Sequence, residues 1–372
     1  VADEVRVGII GAGYWAAYFY LPFLEAHPRA RCVGVVRRNT DALAALGRAF
    51  NLEVATTDVD ELLAAGCDGV IVASAHAVHR EHAQQALEYG CDVLVEKPMT
   101  VSLDDAVALS SVATTVGKMV TIAYGWNYNR MASWAIDLVQ SGQLGEVRSI
   151  CGTMASSLVP LYSGLGGYGK IVLAGYEFEA SSETYTVVDN GGGYLYGQTS
   201  HLLGLGLALA GSPPAEVFAT MTRLPNGVDI DDSLSVRFAD GSVGSFFGSG
   251  RFLWGARYPF DFKIIGNKGS LFLDFATERA EVYFHGESDQ ELFTLEDGTQ
   301  AFVGRPPDEV LDVSEGEGLY SCDGPAHHFL DHCLGVPTTE RADVALGVRT
   351  VAVMEAAARS AKLNVPVQVS GV

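Results

Sequence analysis

Lys97 is the side chain in this sequence best suited to hand a proton to a bound ligand. It stands in Glu96-Lys97-Pro98, directly after an apolar run over 92–95 that reads as a buried strand. In an open α/β sheet, ligands bind beyond the carboxyl ends of the strands. A lysine there can donate to a carbonyl or alkoxide oxygen, or shuttle a proton once its surroundings lower its pKa. Pro98 fixes the turn that follows. His201 is the second candidate. It ends the run Gly191-Gly192-Gly193-Tyr194-Leu195-Tyr196-Gly197-Gln198-Thr199-Ser200-His201 and lies in the first turns of a helix expected through 202–210. An imidazole titrates near neutrality, which suits proton relay to a hydroxyl during hydride transfer.

A hydride needs a carrier, and the chain opens with a means of holding one. The β-type run Val5-Arg6-Val7-Gly8-Ile9-Ile10 leads straight into Gly11-Ala12-Gly13-Tyr14-Trp15-Ala16 and then into a helix-compatible segment. This is the strand–turn–helix of a dinucleotide-binding unit. Gly11 allows the tight turn, Gly13 lets backbone approach a pyrophosphate, and the small Ala16 lets helix and strand pack closely. The helix N-terminus offers amides and a positive dipole end to the phosphates. Cofactor contacts are expected from Gly11, Gly13, Tyr14, Trp15 and Ala16. At the end of a second strand over 31–36, an acid would hold a ribose 2′-hydroxyl and favour NAD. Arg37 and Arg38 stand there instead, so NADP(H) is the favoured cofactor; NAD(H), held through backbone contacts with both arginines in solvent, is the alternative. His76, after the fourth strand, is expected near the cofactor ribose or nicotinamide.

The elements that must position these groups follow from the pattern. Strands over 53–56, 69–74, 92–95 and 119–123 alternate with helices over 40–50, 58–65, 80–90 and 103–116, which predicts a doubly wound parallel sheet. Beyond a helix over 130–141 the texture changes. Strand-like runs at 146–155, 215–221, 232–238, 242–248, 258–266, 269–275 and 281–284 are separated in several places by Asp240-Gly241 or Asn267-Lys268-Gly269, which is hairpin chemistry. The fold class expected is α/β: an N-terminal Rossmann domain over 1–126, then an α+β domain over 127–372 built on a large, open, mostly antiparallel sheet. C-terminal helices over 325–335 and 343–363 are placed to pack back on the first domain. An open sheet face needs a cover, so a homo-oligomer is expected. The segment 156–190 is expected as a long Gly-, Tyr- and Ser-rich loop. Its Tyr162, Tyr168, Tyr176, Phe178 and Tyr185 would stack on sugar rings or pack as a subunit arm. The acidic stretch 286–320 reads as a surface excursion.

Together these motifs resemble the Gfo/Idh/MocA oxidoreductase family. The resemblance spans nearly the whole chain and includes Ser74-x-x-x-x-His79, the segment bearing Asn127, and the helix end Ser141-Gly142-Gln143-Leu144-Gly145. It implies an NAD(P)-dependent dehydrogenase or reductase of sugars, cyclitols or related polyols, with Lys97 the catalytic lysine and His201 the catalytic histidine. Ser74, His79, Glu96 and Lys97 would line the cofactor. One departure stands out: the family usually carries an Asp four residues before this His, and here that position is Gly197. With i−4 and i−3 sharing the face of residue i on a helix, Gln198 is expected beside His201, with Tyr194 or Tyr196 reaching in from the turn. Proton transfer then falls to Lys97, with His201 or a tyrosine assisting. Tyr124, Trp126 and Asn127, at the domain junction, are expected to line the substrate cleft.

The 372 residues are 48% hydrophobic and carry a formal net charge of −21, which argues against nucleic acid and anionic membranes as partners. The six scattered cysteines, with no CxxC pair, read as reduced thiols with no metal role. With no apolar run long enough to span a bilayer and a plain opening sequence, a cytoplasmic location is expected. Two rival readings remain open. One is an enzyme that keeps its cofactor bound and recycles it, oxidising a glycoside so that a neighbouring carbon can lose its aglycone. The other is a non-catalytic, cofactor-sensing regulator.

Overall fold

The computed structural model describes residues 4–166, 169–180, 182–253, 259–286, 293–294, 300–301, 306–313 and 323–371. Tyr168, Cys322, Tyr258 and much of 286–320 lie outside them. The first sheet contains β1 (Val5–Ile10), β2 (Ala30–Val36), β3 (Val54–Thr56), β4 (Gly69–Val72), β5 (Asp92–Val95) and β6 (Val120–Ile122). All pairs are parallel in the order β3-β2-β1-β4-β5-β6. The order reverses between β1 and β4, which opens a crevice at their carboxyl ends. Helices α1 (Leu21–Ala26), α2 (Thr40–Ala49), α3 (Val59–Ala64), α4 (His79–Glu88) and α5 (Leu103–Val116) cross over between strands. The starts of α2, α3 and α5 are fixed by side-chain caps: Asn39 accepts from the Ala42 amide, Asp58 from those of Asp60 and Glu61, and Ser102 from that of Asp105.

The second part begins with α6 (Arg130–Gln140) and β7 (Val147–Ala155), then α7 (Val159–Tyr162), β8 (Lys170–Leu173), β9 (Tyr176–Glu179), α8 (Ser182–Thr186) and α9 (Ser200–Ala210). Strands β10 (Pro214–Arg223), β11 (Asp229–Phe238), β12 (Val243–Ser249), β13 (Phe260–Gly266), β14 (Gly269–Asp274) and β15 (Arg279–Phe284) follow. The short β16 (Phe293–Thr294) and β17 (Gln300–Ala301) pair only with each other. Then come β18 (Glu309–Asp312), α10 (Asp323–Cys333), α11 (Val344–Leu363) and β19 (Val367–Gln368). The second sheet runs β18-β15-β14-β13-β7-β12-β11-β10-β19 and is antiparallel except where β7 meets β12. Its strands alternate: Leu234, Val236, Phe246, Phe262 and Ile264 face inward, whereas Phe218, Val243 and Phe247 are exposed on the outer face. Helix α9 is buried on all sides, which fits a sequence apolar all round.

The chain then returns to the first sheet. Gly69 has no Cβ because the Phe329 ring of α10 lies there, and Gly347 of α11 makes room for Met99 and Ile122. Glu340 bolts the return in place, accepting from Thr121 Oγ1 at 2.8 Å and Tyr128 Oη at 2.6 Å, with His328 Nε2 at 2.9 Å. Burial pushes this carboxyl up. The hydrogen bond and charge of His328, with the Tyr128 and Ala342 donors, outweigh that and hold it at about 2. Among the described residues no helix is long and apolar enough to cross a membrane.

The segment expected as one long loop is largely ordered. Strands β8 and β9 form a hairpin whose turn, Ala174-Gly175, has positive φ at both residues, as the favoured two-residue hairpin turn requires. Ile171, Leu173, Tyr176 and Phe178 pack into the core of the first part, so the hairpin folds back on its own chain. A glycine-rich composition hid the short apolar alternation.

A bulge in β11 opposite Thr222 and Arg223 breaks the alternation of Asp229-Ile230-Asp231-Asp232. Asp229 and Asp232 thereby meet in the core. Asp229 accepts from the Leu195 amide at 2.6 Å and Asp232 from Thr199 Oγ1 at 2.8 Å, so the pair braces the segment leading into α9. Burial pushes both carboxyls up, Asp232 well above its ordinary value because Asp229 lies beside it. The folded protein therefore binds protons that the unfolded chain releases, and stability falls as pH rises above about 4. Replacing Asp232→Asn keeps an acceptor for Thr199 and removes one ionisation. The variant is expected to melt less steeply with rising pH between 4 and 8 than the parent, and at the higher temperature of the two at pH 8, by scanning fluorimetry. A parallel pair of profiles refutes the shared burial of charge.

Candidate active site

Lys97 leaves the end of β5 and reaches across to the second part, where its Nζ donates to the carbonyl of Gly197 at 2.7 Å. The neighbours of Lys97 hold this turn from below. Glu96 Oε1 accepts from Tyr20 Oη at 2.7 Å, and burial pushes the Glu96 carboxyl up. His79 is fully buried, with Nδ1 2.8 Å from the Pro98 carbonyl and Nε2 3.0 Å from that of Ser74. Burial pushes it down to about 4, so the ring is neutral at physiological pH. His79, expected as a cofactor ligand, lies between the turn after β4 and the turn bearing Lys97, and its neutral ring, with a single N–H, donates to one of the two carbonyls. It is walled off by these two carbonyls.

Gly197 lies inside a π-helical stretch, Leu195–Thr199, which continues into α9. The wider i→i+5 turn abolishes the 3.6-residue phase from which Gln198 was expected beside His201. Gln198 and Tyr196 are half-buried, and burial pushes the Tyr196 phenol up. His201 is 4% exposed, with its ring edge-on to Tyr124 at 6.3 Å. Burial, and then the charge of Lys97, push its pKa well below the ordinary value, leaving a neutral imidazole. Such a ring can accept a proton or donate a hydrogen bond without carrying a resting charge.

Four residues expected along the substrate cleft are core residues. Tyr124 is fully buried, its ring filling the space above Gly204. Trp126 packs on Phe260 and Phe275 at 4.4 and 5.2 Å. The Asn127 amide donates to the carbonyls of Gly204 and Arg341 at 3.2 and 3.0 Å, joining α9 to the C-terminal return. Tyr194 is buried with its hydroxyl 2.9 Å from Ser156 Oγ. Burying an aromatic side chain against a sheet outweighs exposing it at a junction, and sequence position alone does not reveal which occurs.

At the crevice between β1 and β4, Gly11 has φ +89°, and a Cβ there would fall inside the Ser74 backbone. The turn therefore offers bare backbone, followed by the N-terminus of a helix, which suits a pyrophosphate. Ala16 is buried; Gly13, Tyr14 and Trp15 are half-buried along the turn. Ser74 Oγ lies 2.9 Å from His82 Nδ1. The two arginines at the end of β2 diverge. Arg37 Nη1 donates to the Ala12 carbonyl at 2.8 Å and its guanidinium lies 5.2 Å from the Phe178 ring centre, whereas Arg38 is exposed.

Sequence reasoning missed how the segment between β7 and α9 closes on this crevice. Gly169 abuts the Tyr14 hydroxyl, Phe178 covers Arg37, and the Ala174 carbonyl accepts from Arg48 at 3.2 Å. Farther along, the Tyr185 ring meets His76 edge-on at 5.7 Å, and His76 Nδ1 lies 3.1 Å from the Gly191 carbonyl. Burial pushes His76 well below its ordinary pKa. Tyr162, from the same segment, is buried with its hydroxyl where a Cβ of Gly197 would stand. The alternating apolar residues at 171, 173, 176 and 178 were the available signal.

Comparison with known proteins agrees with this arrangement. One family has two sequence models that match: its oxidoreductase, NAD-binding Rossmann-fold domain over residues 5–124 and its C-terminal domain over 133–272. A glucose-6-phosphate 3-dehydrogenase of Bacillus subtilis (strain 168) is 32% identical over 145 residues, 39% of this chain and 41% of that protein. A 1-carboxy-3-chloro-3,4-dihydroxycyclohexa-1,5-diene dehydrogenase of Comamonas testosteroni is 26% identical over 220 residues, 59% of this chain and 51% of that one. The chain thus aligns with about half the length of such relatives or less. The crystal structure of GenD2 from gentamicin A biosynthesis, in complex with NAD, shares the fold over 100% of this chain and 97% of its own, at TM-score 0.75 and 23% identity. From the strand order, the bare glycine turn and the two matched domains, this chain belongs to the Gfo/Idh/MocA oxidoreductase family.

Proposed function

We propose that the protein is an NAD(P)-dependent oxidoreductase acting on a secondary alcohol or ketone of a sugar, sugar derivative or cyclitol. The observation that carries this reading is the convergence of Lys97 and the buried, neutral His201 on the segment 195–201, beside the crevice opened by Gly11 and Gly13. The dinucleotide, when bound, supplies the hydride acceptor or donor. Gly11, Gly13, the Tyr14–Ala16 amides and Ser74 are the groups suited to hold it. In the reducing direction the Lys97 ammonium gives a proton to the carbonyl oxygen; in the oxidising direction Lys97, once it has released a proton and stands as the neutral amine, takes the hydroxyl proton. His201 accepts or donates the accompanying hydrogen bond, and the half-buried Tyr196 and Gln198 fix neighbouring hydroxyls. The outer face of the second sheet, with Phe218, Val243 and Phe247 exposed, supports a homo-oligomer.

Cofactor choice rests on one arginine rather than two. Arg37 is committed to the Ala12 carbonyl and to Phe178, so a 2′-phosphate would be met by the exposed Arg38. A second enzyme reading, in which the cofactor stays bound and is recycled, draws support from the β8–β9 hairpin. That hairpin lies over the turn and the β2 end, where an adenosine would leave.

Replacing Lys97→Ala is expected to lower turnover about 10³-fold with cofactor binding retained. Undiminished turnover on a panel of polyols and ketosugars removes the core of the reading. In paired fluorescence titrations, Arg38→Ala is expected to weaken NADPH about tenfold, or ~1.4 kcal/mol, and NADH less than twofold. An unchanged ratio means that Arg38 faces solvent. Denaturing the purified protein and assaying the supernatant for dinucleotide tests retention. Near-stoichiometric release, lowered by Phe178→Ala, supports the recycled cofactor; release from neither protein supports free exchange.

A further inference from the structure

The family pattern leaves a gap at Gly197, and the structure fills it from elsewhere in the chain. Position 197 lacks the carboxylate expected four residues before His201, and a Cβ there would coincide with the Tyr162 hydroxyl. Tyr162 is the last residue of α7, in the segment that folds over the crevice. Its ring is fixed on two sides, edge-on to Tyr185 at 5.9 Å and to Tyr194 at 6.1 Å. Its carbonyl accepts from the Asn226 amide at 2.7 Å. The phenol is therefore held by its own surroundings and does not merely drift into an empty corner.

The same glycine makes the second contact that matters. Its carbonyl receives the Lys97 ammonium at 2.7 Å. Tyr162 thus presses on the Cα side of a peptide whose oxygen receives the candidate proton carrier. We propose that Tyr162 is a positioning residue for Lys97. Its hydroxyl takes the volume of the side chain missing at 197 and fixes the 197 carbonyl against which Lys97 is aimed. This inference rests on the reading of Lys97 as the proton carrier. It also makes tyrosine at 162 and glycine at 197 a matched pair: with the phenol in place, any side chain at 197 collides, and without it the π-helical turn loses its lateral support. A displacement of about 1 Å in a group that must meet a reacting atom costs on the order of 10² in rate.

The test uses the full-length protein with the best substrate from a polyol panel. Tyr162→Phe removes one oxygen and keeps the ring contacts, so the melting temperature is expected to stay close to that of the parent. Its kcat is expected to fall 10- to 100-fold, with the KM for the cofactor within twofold. Gly197→Asp alone is expected to lose most activity through collision with the phenol. Gly197→Asp combined with Tyr162→Ala is expected to recover at least tenfold over Gly197→Asp alone. A Tyr162→Phe enzyme with parental kcat, or a double variant no better than the single, overturns the proposal. If Lys97→Ala retains full turnover, the underlying reading fails instead, and the two failures are told apart by that variant.

Discussion

The contact on which the arrangement depends is the reach of Lys97 from the end of β5 to the carbonyl of Gly197 at the start of α9. It joins a strand end of the first sheet to the helix that lies under the second. A charged donor on a neutral acceptor is a strong hydrogen bond, and it is directional. Each end must therefore be fixed independently. On the first side this is done by Tyr20 beneath Glu96 and by His79 between two carbonyls. On the second side it is done by Asp229 and Asp232, which seize the Leu195 amide and the Thr199 hydroxyl at the two ends of the π-helical stretch. Two buried carboxyls are a costly brace, since each resists ionisation next to the other. Their position under the peptide that receives Lys97 gives that cost a function.

The two halves are also held so that the contact cannot slide. The Asn127 amide spans from α9 to the C-terminal return, while Glu340 gathers Thr121, Tyr128 and His328. Both join the end of β6 to chain more than 200 residues further on. Residues 121–128 are thus tied down by buried polar groups, and Tyr124 and Trp126 are buried within this stretch.

The fold was legible because its signals are periodic and local. The parallel strands of the first sheet read as apolar runs alternating with helix-compatible segments, and α5 begins and ends at the residues the pattern marks. The second sheet was legible through its turns. The site was legible only where chemistry and position coincide in sequence, as at Gly11, Gly13 and Lys97. It was obscure where tertiary packing decides. Whether Tyr194 faces a cleft or a core depends on Ser156, and whether Arg37 faces a phosphate or a carbonyl depends on Phe178, 141 positions away. The helical phase at 195–199 was also not legible, because a π-helical turn leaves no mark in composition.

The segment between β7 and α9 brings these threads together. One end supplies the Tyr162 hydroxyl to Gly197, its hairpin lays Phe178 over Arg37, and its last turn sets Tyr185 and the Gly191 carbonyl against His76. The same run of chain therefore touches the turn that orients Lys97, the β2 end and the turn after β4. Tyr185 touches both Tyr162 and His76. The contacts of this segment run from His76 through Tyr185 and Tyr162 to Gly197, whose carbonyl receives Lys97.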